Sequence, residues 1–284
     1  MKRIVDSVAS RLAFFPPDPP MYEIKPSDSD PNKLLFRWAT PGGGKRIVNC
    51  ECQVLRLQHF KTGCGRTSSA GEICAAWLPH KRQSSLTVLF SHGNAVDLGA
   101  VLLFCNELSR DLQCNVLAYD YSGYGRSGGT PSVTTSLSDI RLCYDWLLEQ
   151  GIPPSKIVLF GQSVGSGPTV DLAAKMPNLA GVVLHTPLLS GMRVLNPNWR
   201  YWPSLLDVYP NMRLIAQIKV PVLVMHGTQD EVIDIAHGKE LHGLCKRPHT
   251  PFWAEGYNHQ NLEMAPGYLP ALRDFMRHCA TRQE

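Results

Sequence analysis

Ile157-Val-Leu-Phe-Gly-Gln-Ser-Val-Gly-Ser-Gly167 decides the reading of this 284-residue chain. Four apolar residues read as a buried strand that ends in Gly161-x-Ser163-x-Gly165 and runs directly into a helix. A serine on so sharp a strand-to-helix turn is strained. Glycines on either side remove the side chains that would clash there, so Ser163 can project its hydroxyl clear of the backbone. The helix that follows aims unpaired N–H groups and its positive dipole end at any charge forming beside Ser163. Pro168 is expected to cost that helix one backbone hydrogen bond.

Outward from this turn, strand-like and helix-like stretches alternate from about Leu86 to the end. Leu86 to Phe90 is a buried strand that delivers Ser91-His-Gly-Asn-Ala-Val-Asp97 to a helix over 98–112. A glycine at a strand exit lets backbone amides turn towards a ligand. The amides of Asn94 and of Val164, the residue after the candidate nucleophile, are therefore assigned to an oxyanion hole. His92 reads as a packed, hydrogen-bonded core residue. The strand 116–119, the loop beginning at Asp120 and the helix 134–150 form a crossover to the Ser163 strand, and such crossovers build parallel sheets.

Val182 to Leu184 is the next strand. The following residues, about 186–215, lack strand character but hold Leu188, Leu189, Met192, Val194, Trp199 and Trp202, which are assigned to a substrate wall or small lid. Val220 to Met225 is the last clear buried strand. It leads to His226-Gly-Thr-Gln-Asp230, then a helix over 235–244, a short strand over 250–254 and Glu255-Gly-Tyr-Asn-His259. Asp230 and His259 thus follow Ser163 in the order nucleophile, acid, base, on loops at successive strand ends. Together they read as a Ser163, Asp230, His259 triad. Asp120, which precedes the serine, reads as structural.

Before Leu86 the signals are quieter. Ile4, Val5, Val8, Leu12 and Phe15 share one face at helical period, predicting an amphipathic helix that either packs on the domain or lies shallowly in a membrane surface. Pro16, Pro17, Pro19 and Pro20 then stiffen an extended connection. Residues 26–45 read as surface turns, 47–57 as one half-buried strand, and 73–78 as its partner. The expected organisation is an N-terminal helix and connection over 1–20 and one domain over 21–284.

Composition narrows the function classes. Hydrophobic content of 44% and charged content of 18% describe an ordinary globular chain, and a net charge of +4 does not suggest nucleic acid. Nine cysteines, an odd number without a C-x-x-C pair, argue for reduced thiols and a cytoplasmic setting, and against a disulfide frame or a zinc site. No signal peptide or run of 18 apolar residues is visible. No metal or organic cofactor is called for.

The motifs Phe14-Phe-Pro-Pro-Asp-Pro-Pro20, Phe90-Ser-His-Gly-Asn-Ala-Val-Asp97, Tyr119-Asp-Tyr-Ser-Gly-Tyr-Gly-Arg-Ser127, Phe160-Gly-Gln-Ser-Val-Gly-Ser-Gly-Pro168 and His226-Gly-Thr-Gln-Asp-Glu-Val-Ile-Asp234 together resemble the alpha/beta hydrolase domain-containing protein 17 family. The resemblance covers nearly the whole chain from about Leu12. It implies an α/β-hydrolase fold, a mostly parallel twisted sheet with helices on both faces and a short lid. It also implies serine-hydrolase chemistry that removes palmitate from S-acylated proteins. Animal members carry an N-terminal cysteine cluster; here the first cysteine is Cys50, and the chain does not begin Met-Gly. The alternatives within reach of the same residues are a carboxylesterase or lipid esterase, a peptidase, and a non-catalytic receptor or scaffold, with protein interaction through residues 1–15 as an additional role.

Overall fold

The computed structural model describes residues 14–26, 34–39, 45–48, 52–58, 71–80, 86–195 and 207–282. The expected helix over 1–15, the loop between 57 and 73, Trp199 and Trp202 fall wholly or largely outside them. Among the described residues the chain runs β1 (Ile24–Pro26), β2 (Leu34–Ala39), β3 (Lys45–Val48), β4 (Gln53–Leu57), β5 (Ile73–Leu78), β6 (Thr87–Ser91), α1 (Leu98–Leu112), β7 (Asn115–Tyr119), α2 (Val133–Glu149), β8 (Ile157–Gln162) and α3 (Ser166–Lys175). It continues through β9 (Gly181–His185), α4 (Gly191–Leu195), α5 (Asn211–Leu214), β10 (Val222–Gly227), α6 (Ile235–Leu244), β11 (Phe252–Ala254) and α7 (Tyr268–Thr281).

Eight strands form one sheet in the order β11-β10-β9-β8-β6-β7-β5-β4. β4 and β5 pair antiparallel, as do β5 and β7, and every pairing from β7 to β11 is parallel. The parallel strands read as continuous apolar runs because both faces are covered. Leu89, Leu117, Leu159 and Val182 point to the side packed by α2 and α3. Val88, Val116, Val158 and Val183, each one residue away, point to the side packed by α1 and α7. Register then positions chemistry: Ser91 lies opposite Gly161, and Gln162 opposite His185. The exits of β6, β8 and β9 therefore open at one end of the sheet.

Side-chain caps fix where the helices start. The Asp97 carboxylate accepts from the Gly99 amide at 3.0 Å ahead of α1, and Asp234 accepts from Ala236 at 2.7 Å ahead of α6. Ser132 and Thr135 form a reciprocal capping box at α2.

Two local expectations are corrected. The stretch 47–57 is not one strand, because β3 belongs to a separate three-stranded antiparallel sheet with β1 and β2, while β4 edges the main sheet. Residues 26–45 are not turns throughout, because β2 runs Leu-Leu-Phe-Arg-Trp-Ala between two clusters of turn formers and pairs on both sides. Six residues of that composition suffice for a strand once neighbours satisfy its backbone. Pro168 is the third residue of α3, which continues directly from a 3-10 turn over Ser163–Gly165. Just ahead of Pro16 to Pro20 the chain packs on the domain. Phe14 is 5% exposed, and its ring meets Tyr124 and Tyr209 edge-on.

Candidate active site

Ser163 is the first residue past β8 and takes φ +53°, the left-handed region that non-glycine residues enter at a cost. Space around it is made by two glycines. A Cβ on Gly161 would stand 2.6 Å from Thr169 Oγ1, and one on Gly165 would stand 2.2 Å from the Ser91 carbonyl oxygen and 2.7 Å from that of His92. Backbone thus packs on backbone where the β8 turn passes the β6 exit. Ser166 completes the turn by donating from its Oγ to the Ser163 carbonyl at 2.6 Å.

Asp230 follows β10 and His259 follows β11, so both arrive beside Ser163 from the same end of the sheet. His259 Nε2 stands 3.1 Å from Ser163 Oγ, and its Nδ1 stands 2.8 Å from Asp230 Oδ2. An ionised carboxylate only accepts, so Nδ1 carries the imidazole proton and Nε2 is left to accept from the hydroxyl. Oδ1 of Asp230 accepts from the amides of Val232 at 2.9 Å and Ile233 at 2.8 Å. Burial alone would raise the pKa of Asp230. The donors from His226, His259 and Ile233 outweigh it and hold the carboxyl well below the usual carboxylate range.

His226 is the residue that sequence reading passed over. It is fully buried, and its Nε2 lies 2.8 Å from the Ile233 carbonyl and 3.1 Å from Asp230 Oδ2. Both neighbours accept, so Nε2–H donates to each, and Asp230 is gripped from two histidines. The place of His226 four residues before Asp230 at a strand exit does not by itself separate it from a packed core histidine. His185, at the end of β9, is likewise buried; burial, then the His259 and His226 charges, push its pKa down to about 3, so it stays neutral beside the base.

Of the assigned oxyanion donors, Val164 follows Ser163 at the start of the turn and Asn94 follows Gly93, whose Cβ position lies 3.7 Å from Ser163 Cβ. The Asn94 side chain is also held, its Oδ1 accepting from Tyr124 Oη at 2.7 Å and from the amides of Phe15 and Ala95 at 3.0 Å each. His92 is a packed core residue, fully buried with Nδ1 2.8 Å from the Gly93 carbonyl, and burial pushes its pKa down to about 4. Asp120 is buried too. It accepts from Tyr22 Oη at 2.5 Å and the Leu98 amide at 2.8 Å, and burial is the chief cause that lifts its pKa to about 7.

The proposed substrate wall divides. Leu188 and Leu189 are buried in the core beneath α3, while Met192 and Val194 are half-buried on or beside α4. Tyr209 pins the segment down, its ring filling the space beside Gly167 and its hydroxyl 2.6 Å from Ser136 Oγ. Among the described residues, no three His, Cys, Asp or Glu side chains gather as a metal site, and no helix is long and apolar enough to cross a membrane. The seven described cysteines are free thiols.

Residues 82–214 match the family model described as serine aminopeptidase, S33. In solved structures the chain is similar to the Pyrococcus furiosus esterase Pf2001, with a TM-score of 0.63 at 16% identity over 80% of this chain and 90% of that one. It is also similar to the esterase domain of a Rhodothermus marinus protein, with a TM-score of 0.59 at 19% identity over 80% and 98%. These likenesses show the fold. Sequence relatives are much nearer: alpha/beta hydrolase domain-containing protein 17B of Homo sapiens is 39% identical over 95% of this chain and 90% of its own length. The 17C protein of Xenopus tropicalis is 44% identical over 95% and 89%. With an eight-stranded sheet of this order and relatives at this identity over almost the full chain, the protein is an α/β hydrolase and belongs to the alpha/beta hydrolase domain-containing protein 17 family.

Proposed function

We propose that the chain is a serine hydrolase of acyl thioesters that removes palmitate from S-acylated cysteines of proteins. The observation that carries the catalytic part is the continuous hydrogen-bond line from Ser163 Oγ through His259 to Asp230 at a strained turn. His259 takes the serine proton as general base, and Asp230 holds the imidazole in the required tautomer and stabilises its cation. Ser163 attacks the acyl carbonyl while the Asn94 and Val164 amides receive the oxyanion. The bond to the cysteine sulfur breaks, and the departing thiolate takes the proton held by His259, leaving the imidazole neutral again. Water, deprotonated by His259, then attacks the acyl-enzyme, and the imidazolium returns that proton to Ser163 Oγ as the fatty acid leaves.

The thioester class rests on the family resemblance and on leaving-group chemistry. A cysteine thiol has a pKa of about 8.5, so its thiolate needs little help from an acid to depart, unlike an amide nitrogen. S-acylated proteins are the partners this assigns, and the apolar face of residues 1–15 would lie against the membrane on which they sit.

The test is labelling of the purified chain by a fluorophosphonate probe, with Ser163→Ala and His259→Ala as controls and a palmitoyl thioester as competitor. Hydrolysis of a palmitoylated peptide is measured alongside that of an oxygen ester. Labelling that needs both residues and is blocked by the thioester supports the reading. A folded chain that stays unlabelled refutes it, and turnover of the oxygen ester alone would make it an esterase.

A further inference from the structure

The stretch before the main domain does more than connect. Phe14 is buried between the rings of Tyr124 and Tyr209, with centroid distances of 6.4 Å to each. The next amide, that of Phe15, donates to both Asn94 Oδ1 and Tyr124 Oη at 3.0 Å. Further along, the Met21 amide donates to Asp97 Oδ2 at 2.7 Å, and Tyr22 reaches Asp120 while accepting from the Arg126 amide at 3.1 Å. Tyr22 and Met21 also lie where a Cβ on Gly99 would be, at 2.8 and 3.0 Å. The segment 14–22 is thus fastened at both ends of the loop Gly93–Asp97.

Ala95 takes φ +56°, a strained conformation that persists only where surroundings enforce it. Here the enforcement is the Asn94 carboxamide, whose oxygen gathers one phenol and two amides. Removing donors frees the Asn94 peptide to turn. We infer that residues 14–22 form a strap that positions the Asn94 amide for the oxyanion, with Tyr124 and the Phe15 amide as its positioning groups. This rests on the hydrolase mechanism proposed above. Tyr124 is suited to the part because burial raises its pKa, so the phenol keeps the proton that it donates.

The full chain is assayed as wild type, Tyr124→Phe and Phe14→Ala. Two readouts are taken: kcat and KM for a p-nitrophenyl ester, and the affinities of an alkyl trifluoromethyl ketone, which forms an oxyanion on the serine, and of the matching fatty acid, which does not. Tyr124→Phe is expected to lower kcat by about tenfold at unchanged KM, less than the 10²- to 10³-fold of losing a donor outright. Trifluoromethyl ketone affinity should fall by the same factor while fatty-acid affinity and Tm hold. Phe14→Ala should act in the same direction even if it also lowers Tm. An active wild type whose Tyr124→Phe variant keeps both kcat and ketone affinity sinks the strap alone. A wild type without any hydrolysis sinks the functional reading and the strap with it.

Discussion

Adding one methyl group at Gly165 tests how the site is built. The new Cβ would lie 2.2 Å from the Ser91 carbonyl oxygen and 2.7 Å from that of His92, both backbone atoms at the exit of a central strand. Ordinary carbon–oxygen contacts begin near 3.3 Å, so the two chain segments must part by about 1 Å. Overpacking of this kind costs about 1–3 kcal/mol. A loss of about 2 kcal/mol lowers Tm by roughly 4–8 °C in a chain of this size. The rate should suffer more. The displaced segment carries Asn94, and about 1 Å of misplacement at a reacting centre can cost on the order of 100-fold. Gly151→Ala is the control: it has φ +79° but nothing within 4 Å of its Cβ, so it should cost about 1 kcal/mol of strain and leave kcat alone. Ester hydrolysis and thermal melting of both variants decide the matter. Gly165→Ala turning over at the wild-type rate would refute a site fixed by backbone contact.

Further outcomes follow from the acid and its neighbours. Asp230→Asn reverses the hydrogen-bond demand on His259 and should lower kcat by about 10⁴-fold with the fold intact, read from pre-steady-state and steady-state ester hydrolysis. His226→Phe removes one of the two imidazole donors to Asp230. It should cost roughly tenfold in kcat and raise the Asp230 pKa, followed by carboxyl-carbon NMR. Asp230 itself, held below the usual range, contributes stability that is present above pH about 4 and is lost only as pH falls through its depressed folded value. Asp120 has the opposite sign. With its folded pKa near 7 it favours the native state at low pH, and that contribution declines from about pH 4 to about pH 7 and then levels off. Asp120→Asn should flatten that decline in urea midpoints measured across the range.

How much of this was legible follows from the kind of signal each part sends. Apolar runs at 86–90, 157–160 and 220–225 declare buried strands because both faces of a parallel sheet are covered. Ser163, Asp230 and His259 were found through chain order, since each follows a strand exit, and the structure brings the three together. β2 was hidden by the turn formers around it, and β3 and β4 ran together because alternation continues across the break between two sheets. His226 sent no separate signal, because a histidine ending a buried strand looks the same whether it fills space or grips a carboxylate. The strap was invisible for another reason: prolines tell that a segment is stiff but not what it lies against.

The position of His259 carries one more consequence. It rides on the loop after β11, a three-residue strand that, among the described residues, pairs only with β10 and edges the sheet, whereas Ser163 leaves β8 near the centre. Edges of sheets open at lower free energy than their middles. The base can therefore detach from a nucleophile that is still in place. Heating should switch off turnover some degrees before the molecule melts, with amide exchange quickening at residues 252–259 first, and recovery on cooling should be complete as long as the central strands have held.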